Sequence, residues 1–151
     1  AIAKLNNPNI HYVICGKGPL ESYLNELAAE LGVSKNVHLL GFRRDIPEIC
    51  KVSDVFVFSS LREGLPVSLM EAMAVGLPVV CSNIRGNSDL IEDGKGGYLV
   101  SSSDVDEFAK SIKELRIDSS LRRHFGGVNL EKIENYSLEN VLKDIEEIYF
   151  N

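Results

Sequence analysis

No apolar run in this sequence is long enough to cross a membrane: each is interrupted within about ten residues, where a spanning helix needs roughly 20. No basic segment followed by an apolar stretch opens the chain, so no signal peptide is expected. Positive charge is not in excess either. The formal net charge is -6, which argues against a nucleic-acid partner, since that role demands a basic face. A small anionic ligand stays allowed, because a few amides and basic side chains can hold one. Cysteine is scarce: Cys15, Cys50 and Cys81 are odd in number, scattered and in no metal-like spacing. They read as buried reduced thiols of a cytoplasmic protein, and no metal site is expected. His11, His38 and His124 are equally scattered and are assigned no chemistry. Repeats and low-complexity linkers are missing as well.

What is present is an alternation. The 151 residues suit one domain, 1–151, and 44% hydrophobic with 25% charged residues is ordinary for a globular chain with a sizeable core. Short apolar runs at His11–Gly16, Asn36–Phe42, Asp54–Phe58, Leu77–Ser82 and Gly96–Val100 predict five strands. Between them, helical spacing is read at Pro19–Gly32, Asp45–Val52 and Pro66–Val75, with a helical turn at Ser88–Gly94. Pro66 is expected as the first helical residue of its segment. An amphipathic helix follows at Asp104–Leu115, capped by Ser103 or Asp104. The remainder, Ser119 to Asn151, is nearly all helix, with a break expected at Gly126-Gly127 or Ser137. Strands that are apolar throughout, each followed by a helix, predict an α/β fold with a doubly wound parallel sheet covered on both faces and closing C-terminal helices.

In such sheets ligands sit at the carboxyl ends of the strands. The loops there are CGKGP, GFRRD, SSLREGLP and SNIRGNSD, all rich in glycine, serine or arginine, as loops near a phosphate or sugar are. The third loop opens the stretch REGLPVSLMEAMAVGLPVV, in which Glu63 and Glu71 are separated by Gly64-Leu65-Pro66 and the start of a helix. Helical side chains lean toward the N-terminus, so Glu71 is expected to point back toward the loop of Glu63, both acids facing one crevice. The amides of Gly64, Leu65 and Val67 fall at the open end of that helix, where N–H groups lack partners. Amides suit an anion, and an ionised carboxylate can accept from both hydroxyls of a diol. A ligand with sugar hydroxyls at both ends and a phosphate between, such as a nucleotide sugar, matches this set. Helix capping or salt bridging on a solvated face is the bland alternative for the two acids.

EGLPVSLMEAMAVGLPVV resembles the E-x7-E signature of family 4 retaining glycosyltransferases of the GT-B fold. VICGKGPL resembles that family's G-x-G-P segment, VHLLGFRRDIP its base-pocket segment, SDVFVFSS the strand before the acidic motif, and GNSDLIEDGKGGYLV its closing loop and strand. The resemblance implies a Rossmann-like, donor-binding C-terminal half of such an enzyme. By the same resemblance, such an enzyme is expected to transfer a hexose from a nucleotide-diphospho-sugar to a glycan or lipid-linked glycan with retention, in the biosynthesis of a polysaccharide of the capsule or exopolysaccharide kind. It gives Glu63 the hydroxyls of the transferred sugar, as the catalytic position, and Glu71 the ribose. Gly64 and Leu65 meet the diphosphate or sugar through their amides. Gly41, Phe42 and Arg43 line the base, largely by backbone, and Gly16 and Gly18 allow close approach of backbone to ligand. No cofactor is implied beyond the nucleotide-sugar substrate, for which UDP-linked hexose or N-acetylhexosamine is expected ahead of GDP-mannose.

Set against that family, the chain is expected to be a fragment, without the N-terminal acceptor-binding domain and without a first βα unit carrying an Arg and a Lys for the diphosphate. Isolated, it is expected to be inactive. Lys17, Arg62 and Arg85 lie near the relevant loops, but nothing in the sequence says that they substitute. Self-association through exposed sheet edge is a further expectation for the fragment, and peripheral membrane association one for the full-length protein. A cytoplasmic location follows from the same resemblance. A glycoside hydrolase also uses paired carboxylates but gains nothing from helix-terminal amides between them. A nucleotide-sugar epimerase shares the fold. A receiver-type signalling domain would end its central strand in aspartate, where this chain has Ser59-Ser60. A non-catalytic nucleotide-sugar-binding or interaction module of the same fold is the standing alternative.

Overall fold

A computed structural model describes residues 1–150. Its elements run α1 (Ile2–Leu5), β1 (Tyr12–Cys15), α2 (Glu21–Glu30), β2 (Val37–Gly41), α3 (Ile46–Lys51), β3 (Phe56–Phe58), α4 (Val67–Ala74), β4 (Val79–Ser82), α5 (Arg85–Leu90), β5 (Gly97–Val100), α6 (Val105–Ile117), α7 (Ser119–Ile133), a 3-10 turn (Glu134–Tyr136) and α8 (Leu138–Phe150). All five expected strands are present, and every strand pair is parallel. The chain divides into two compact units, Ala1–Ile46 and Pro47–Asn151.

In the first unit β1 pairs with β2. Tyr12 stands opposite Val37 and Ile14 opposite Leu39; the register then slips, so that Cys15 meets Gly41 and Leu40 is skipped. These strands are not covered on both faces as expected, since Val13 is 39% and Leu40 42% exposed. α2 ends in a Schellman motif. Gly32, at φ +69°, donates to Ala29 O (3.0 Å) and Val33 to Ala28 O (2.8 Å), so two terminal carbonyls are satisfied.

The second unit holds the core. Its sheet order is β3-β4-β5, and the central strand β4 is buried at all four residues, as a strand flanked by two parallel neighbours requires. Leu69 and Met73, one turn apart on α4, are completely buried against Val79, Cys81, Leu90 and Ile91. Burial of each such side chain contributes roughly 1.5–3 kcal/mol. α4 stops as α2 does: Gly76, at φ +74°, donates to Met73 O (2.9 Å) and Leu77 to Ala72 O (3.1 Å).

Some boundaries differ from expectation, and others decide between the alternatives expected. Pro66 is the N-cap of α4, not its first helical residue: its ψ of 106° is extended, while its carbonyl accepts from Leu69 and Met70. α5 begins at Arg85, three positions before the expected helical turn, and ends at Leu90. Asp104 is the cap of α6, accepting from the Glu107 amide at 2.9 Å. α7 does not break at Gly126-Gly127. Gly126 serves contact instead: a Cβ there would lie 2.1 Å from Gly76 O. The break falls at Ser137, after the 3-10 turn. Asn151, the last residue of the expected helical region, lies outside the described residues. Among the described residues no helix is long and apolar enough to cross a membrane.

Candidate functional site

The acidic motif is built by the β3-to-α4 connection. Ser60 Oγ donates to Glu63 Oε1 at 2.7 Å, which orients the half-buried carboxylate from within its own loop. The amides of Gly64, Leu65, Val67 and Ser68 donate to no protein acceptor among the described residues. They form the open, positive end of α4. Glu71 is half-buried, and its carboxylate has no hydrogen bond or ion pair among the described residues.

An open cleft of about 600 Å³ lies at this end of the unit, lined by Arg62, Glu63, Gly64, Arg85 and Asp89. Glu63 and Gly64 were expected there. Glu71 and Leu65 are not part of the lining, although both acids were expected on one crevice. Helix geometry explains the separation. Glu71 is two residues from both Leu69 and Met73, so it stands roughly 160° around α4 from either buried side chain.

The lining also contains residues that the sequence reading did not assign. Arg85 and Asp89 come from α5, which is held tightly against the acidic loop. A Cβ on Gly86 would sit 2.5 Å from Gly64 O and 2.8 Å from Glu63 O, so only glycine permits this approach. Asn87 Nδ2 donates to Ser82 O at 2.9 Å and anchors α5 to the end of β4. The signal in the sequence was the glycine of IRGNSD; read as a loop glycine, it gave no hint of its contact.

The remaining expected site residues lie in the first unit, at the carboxyl ends of β1 and β2. The Gly16 amide donates to Gly41 O at 2.7 Å, so these two glycine loops are joined. The register slip after Ile14 brings that about. Gly16 and Gly18 have open space where a side chain would stand. Phe42 exposes 67% of its surface, a flat apolar face in the open. Arg43 donates from Nε to Asp45 Oδ1 at 2.8 Å and pairs with Oδ2 through Nη2, and this ion pair holds the Asp45 carboxyl below its usual range. Burial pushes the Cys15 thiol up, with Arg43 opposing and Asp45 adding to the rise.

The sequence profile of the family described as "Glycosyl transferases group 1" matches residues 1–128. This chain belongs to that family. Among its curated relatives, the UDP-Gal:alpha-D-GlcNAc-diphosphoundecaprenol alpha-1,3-galactosyltransferase of Escherichia coli is 32% identical over 145 residues, covering 95% of this chain and 38% of that protein. The lipopolysaccharide core biosynthesis glycosyltransferase LpsE of Rhizobium meliloti is 35% identical over 122 residues, covering 81% of this chain and 35% of that protein. The chain thus spans well under half the length of either relative. Among solved structures, a point mutant of S. aureus TarM, in complex with Fondaparinux, alpha-GlcNAc-glycerol and UDP, superposes with a TM-score of 0.89 at 26% identity, covering 99% of this chain and 32% of that one. The fold is the Rossmann-like one of GT-B glycosyltransferases, as family membership leads one to expect.

Proposed function

We propose that this chain is the nucleotide-sugar-binding domain of a retaining glycosyltransferase that moves a hexose from a UDP-linked donor to a glycan or lipid-linked glycan. The observation that carries the reading is the site at the start of α4. There an oriented carboxylate, Glu63, adjoins amides with no protein acceptor among the described residues, on an open cleft. In this reading Glu63 holds hydroxyls of the transferred sugar and favours charge development at its anomeric carbon. Gly64 and Leu65 give their amides to the diphosphate or sugar, and Glu71 accepts from the ribose diol. Gly41, Phe42 and Arg43 line the base, and Gly16 and Gly18 let backbone approach the ligand. The names of two similar proteins, one using UDP-Gal and one bound to UDP, favour UDP over GDP. A further part of the protein binds the acceptor, and the enzyme works in polysaccharide assembly in the cytoplasm.

The experiment is an NMR amide titration of the chain with UDP and with GDP, repeated on Glu71→Ala. Shifts by UDP at Gly16, Gly41 and the Glu63–Glu71 segment are the expected result. Loss of one charged hydrogen-bonding group weakens binding by roughly 10- to 100-fold in the variant. Unchanged affinity in Glu71→Ala removes the ribose assignment.

A further inference from the structure

We infer that Arg62 and Arg85 form a clamp for a phosphoryl group attached to a sugar, with Glu63 and Asp89 placed to accept the sugar's hydroxyls. The inference rests on the donor-site reading for the roles of Glu63 and of the Gly64 amide.

Both arginines are exposed and line the cleft together with Glu63, Gly64 and Asp89. Two guanidinium groups and two carboxylates thus border one opening, yet none of them makes an ion pair among the described residues. Elsewhere among the described residues, four neighbouring opposite charges do pair, Lys95 with Glu92, Lys110 with Glu107, Lys143 with Glu139 and Arg43 with Asp45, while others such as Glu48 and Lys51 do not. Of the four charged side-chain groups, only the Glu63 carboxylate has a hydrogen-bond partner among the described residues, the neutral Ser60. Two like charges on one opening repel, and pairing with the adjacent acids would relieve them. A site that keeps its cations and its acids apart keeps both available to a ligand of mixed character.

The chemistry of the four groups selects that ligand. The planar fork of arginine matches the oxygens of a phosphoryl group with two parallel N–H donors, and the unpartnered Gly64 amide adds a third direction. Carboxylates repel an anion but accept from hydroxyls, which a sugar carries beside its phosphate. The backbone that carries the clamp is held in shape. Arg62 adjoins Glu63 in the chain, and Arg85 opens the helix whose Gly86 is pressed against Glu63 and Gly64. Little ordering of backbone is needed on binding, which favours affinity. The phosphoryl group can come from either of two sources: the diphosphate of the donor, or a phosphate carried by the acceptor sugar.

The test is a titration of the 151-residue chain with α-glucose 1-phosphate at low salt, following the arginine side-chain Nε–Hε signals and the Gly64 amide by NMR. Glucose is the uncharged control. Saturable shifts at Arg62, Arg85 and Gly64 are expected with the phosphate and none with glucose. Arg62→Gln/Arg85→Gln should bind at least about tenfold more weakly while melting at the same temperature, since both side chains are exposed. Repeating the titration at saturating UDP assigns the source. Competition marks the donor's phosphate, and undiminished binding marks the acceptor's; each supports the clamp. No saturable shift, or equal affinity in the variant, overturns it. A UDP response at Glu71 in the same sample then leaves the donor-site reading standing on its own.

Discussion

Gly86→Ala puts the placement of the acidic loop under direct test. The added methyl would meet Gly64 O at 2.5 Å, Glu63 O at 2.8 Å and Glu63 C at 3.0 Å, and all three are backbone atoms. A side-chain carbon tolerates about 3.0 Å at the least and is at ease from about 3.4 Å, so the loop must retreat by roughly 0.5–0.9 Å. Overpacking of this kind costs about 1–3 kcal/mol. A displacement near 1 Å at a reacting group costs on the order of 100-fold in rate. Stability should therefore fall by about 1–3 kcal/mol in urea denaturation. The amides of Glu63 and Gly64 should shift, and turnover of the donor proposed above by the enzyme containing this domain should drop more than nucleotide affinity does. The control is Gly127→Ala. A Cβ there meets nothing within 4 Å, and the residue lies inside α7. Helix propensity should stabilise that variant by up to about 1 kcal/mol. A Gly86→Ala protein as stable and as active as the parent would refute the close approach of α5 and with it the account of how the loop is held.

Asn129 donates from Nδ2 to Leu77 O (2.7 Å) and Gly96 O (2.8 Å) while fully buried, so Asn129→Ala should cost about 2–3 kcal/mol in chemical denaturation. Cys81 is fully buried, and desolvation, with a smaller push from Asp93, raises its thiol to about 12. Its folded value lies above its unfolded one, so its contribution to stability is whole below the unfolded midpoint of ~8.5 and is lost as pH rises from there through about 12. Alkylation of Cys81 at pH 8 should keep pace with unfolding and never precede it. Asp45 is held low first by its hydrogen bond from Arg43, so the pair should persist on acidification to below the ordinary aspartate midpoint of ~3.9 and be lost only as pH falls through the depressed value. Carboxyl-carbon NMR of Asp45 gives that midpoint, and Arg43→Ala should raise it.

The strands and most helices were legible because each announces itself within a few residues. VVCS is apolar throughout and becomes the fully buried β4, while Leu69 and Met73 recur at helical spacing and meet the core. The C-termini of α2 and α4 were legible in the same way, since Gly32 and Gly76 follow the last periodic residue. What could not be read was anything set by a contact between distant segments. Glycine has two meanings, a break or a close approach, and only the opposing backbone decides between them. Gly126 meets Gly76 O and stays helical; Gly86 meets Gly64 O and opens a helix. The first was therefore kept beside Ser137 as one of two candidate breaks, of which Ser137 is the one realised, and the second was read as a loop.

The same limit shaped the reading of the site. Glu63 could be placed at the carboxyl edge of its strand from local pattern alone. The partners that surround it, Arg85 and Asp89, arrive on α5 only because Gly86 lets that helix press against the acidic loop. The pairing of Glu63 with Glu71 on one crevice was an inference from the lean of helical side chains, and the cleft takes in only the first acid. A residue two places from each buried neighbour lies across the helix from them, which accounts for the absence of Glu71 from the lining of this cleft. Glu63 and Glu71 are then expected to report different parts of one ligand. Replacement of Glu71 should be felt by UDP alone as strongly as by a UDP-sugar. Replacement of Glu63 by Gln should be felt only when the sugar is present. Equal losses of UDP affinity in the two variants, measured side by side by calorimetry, would show that the two acids serve a single subsite after all.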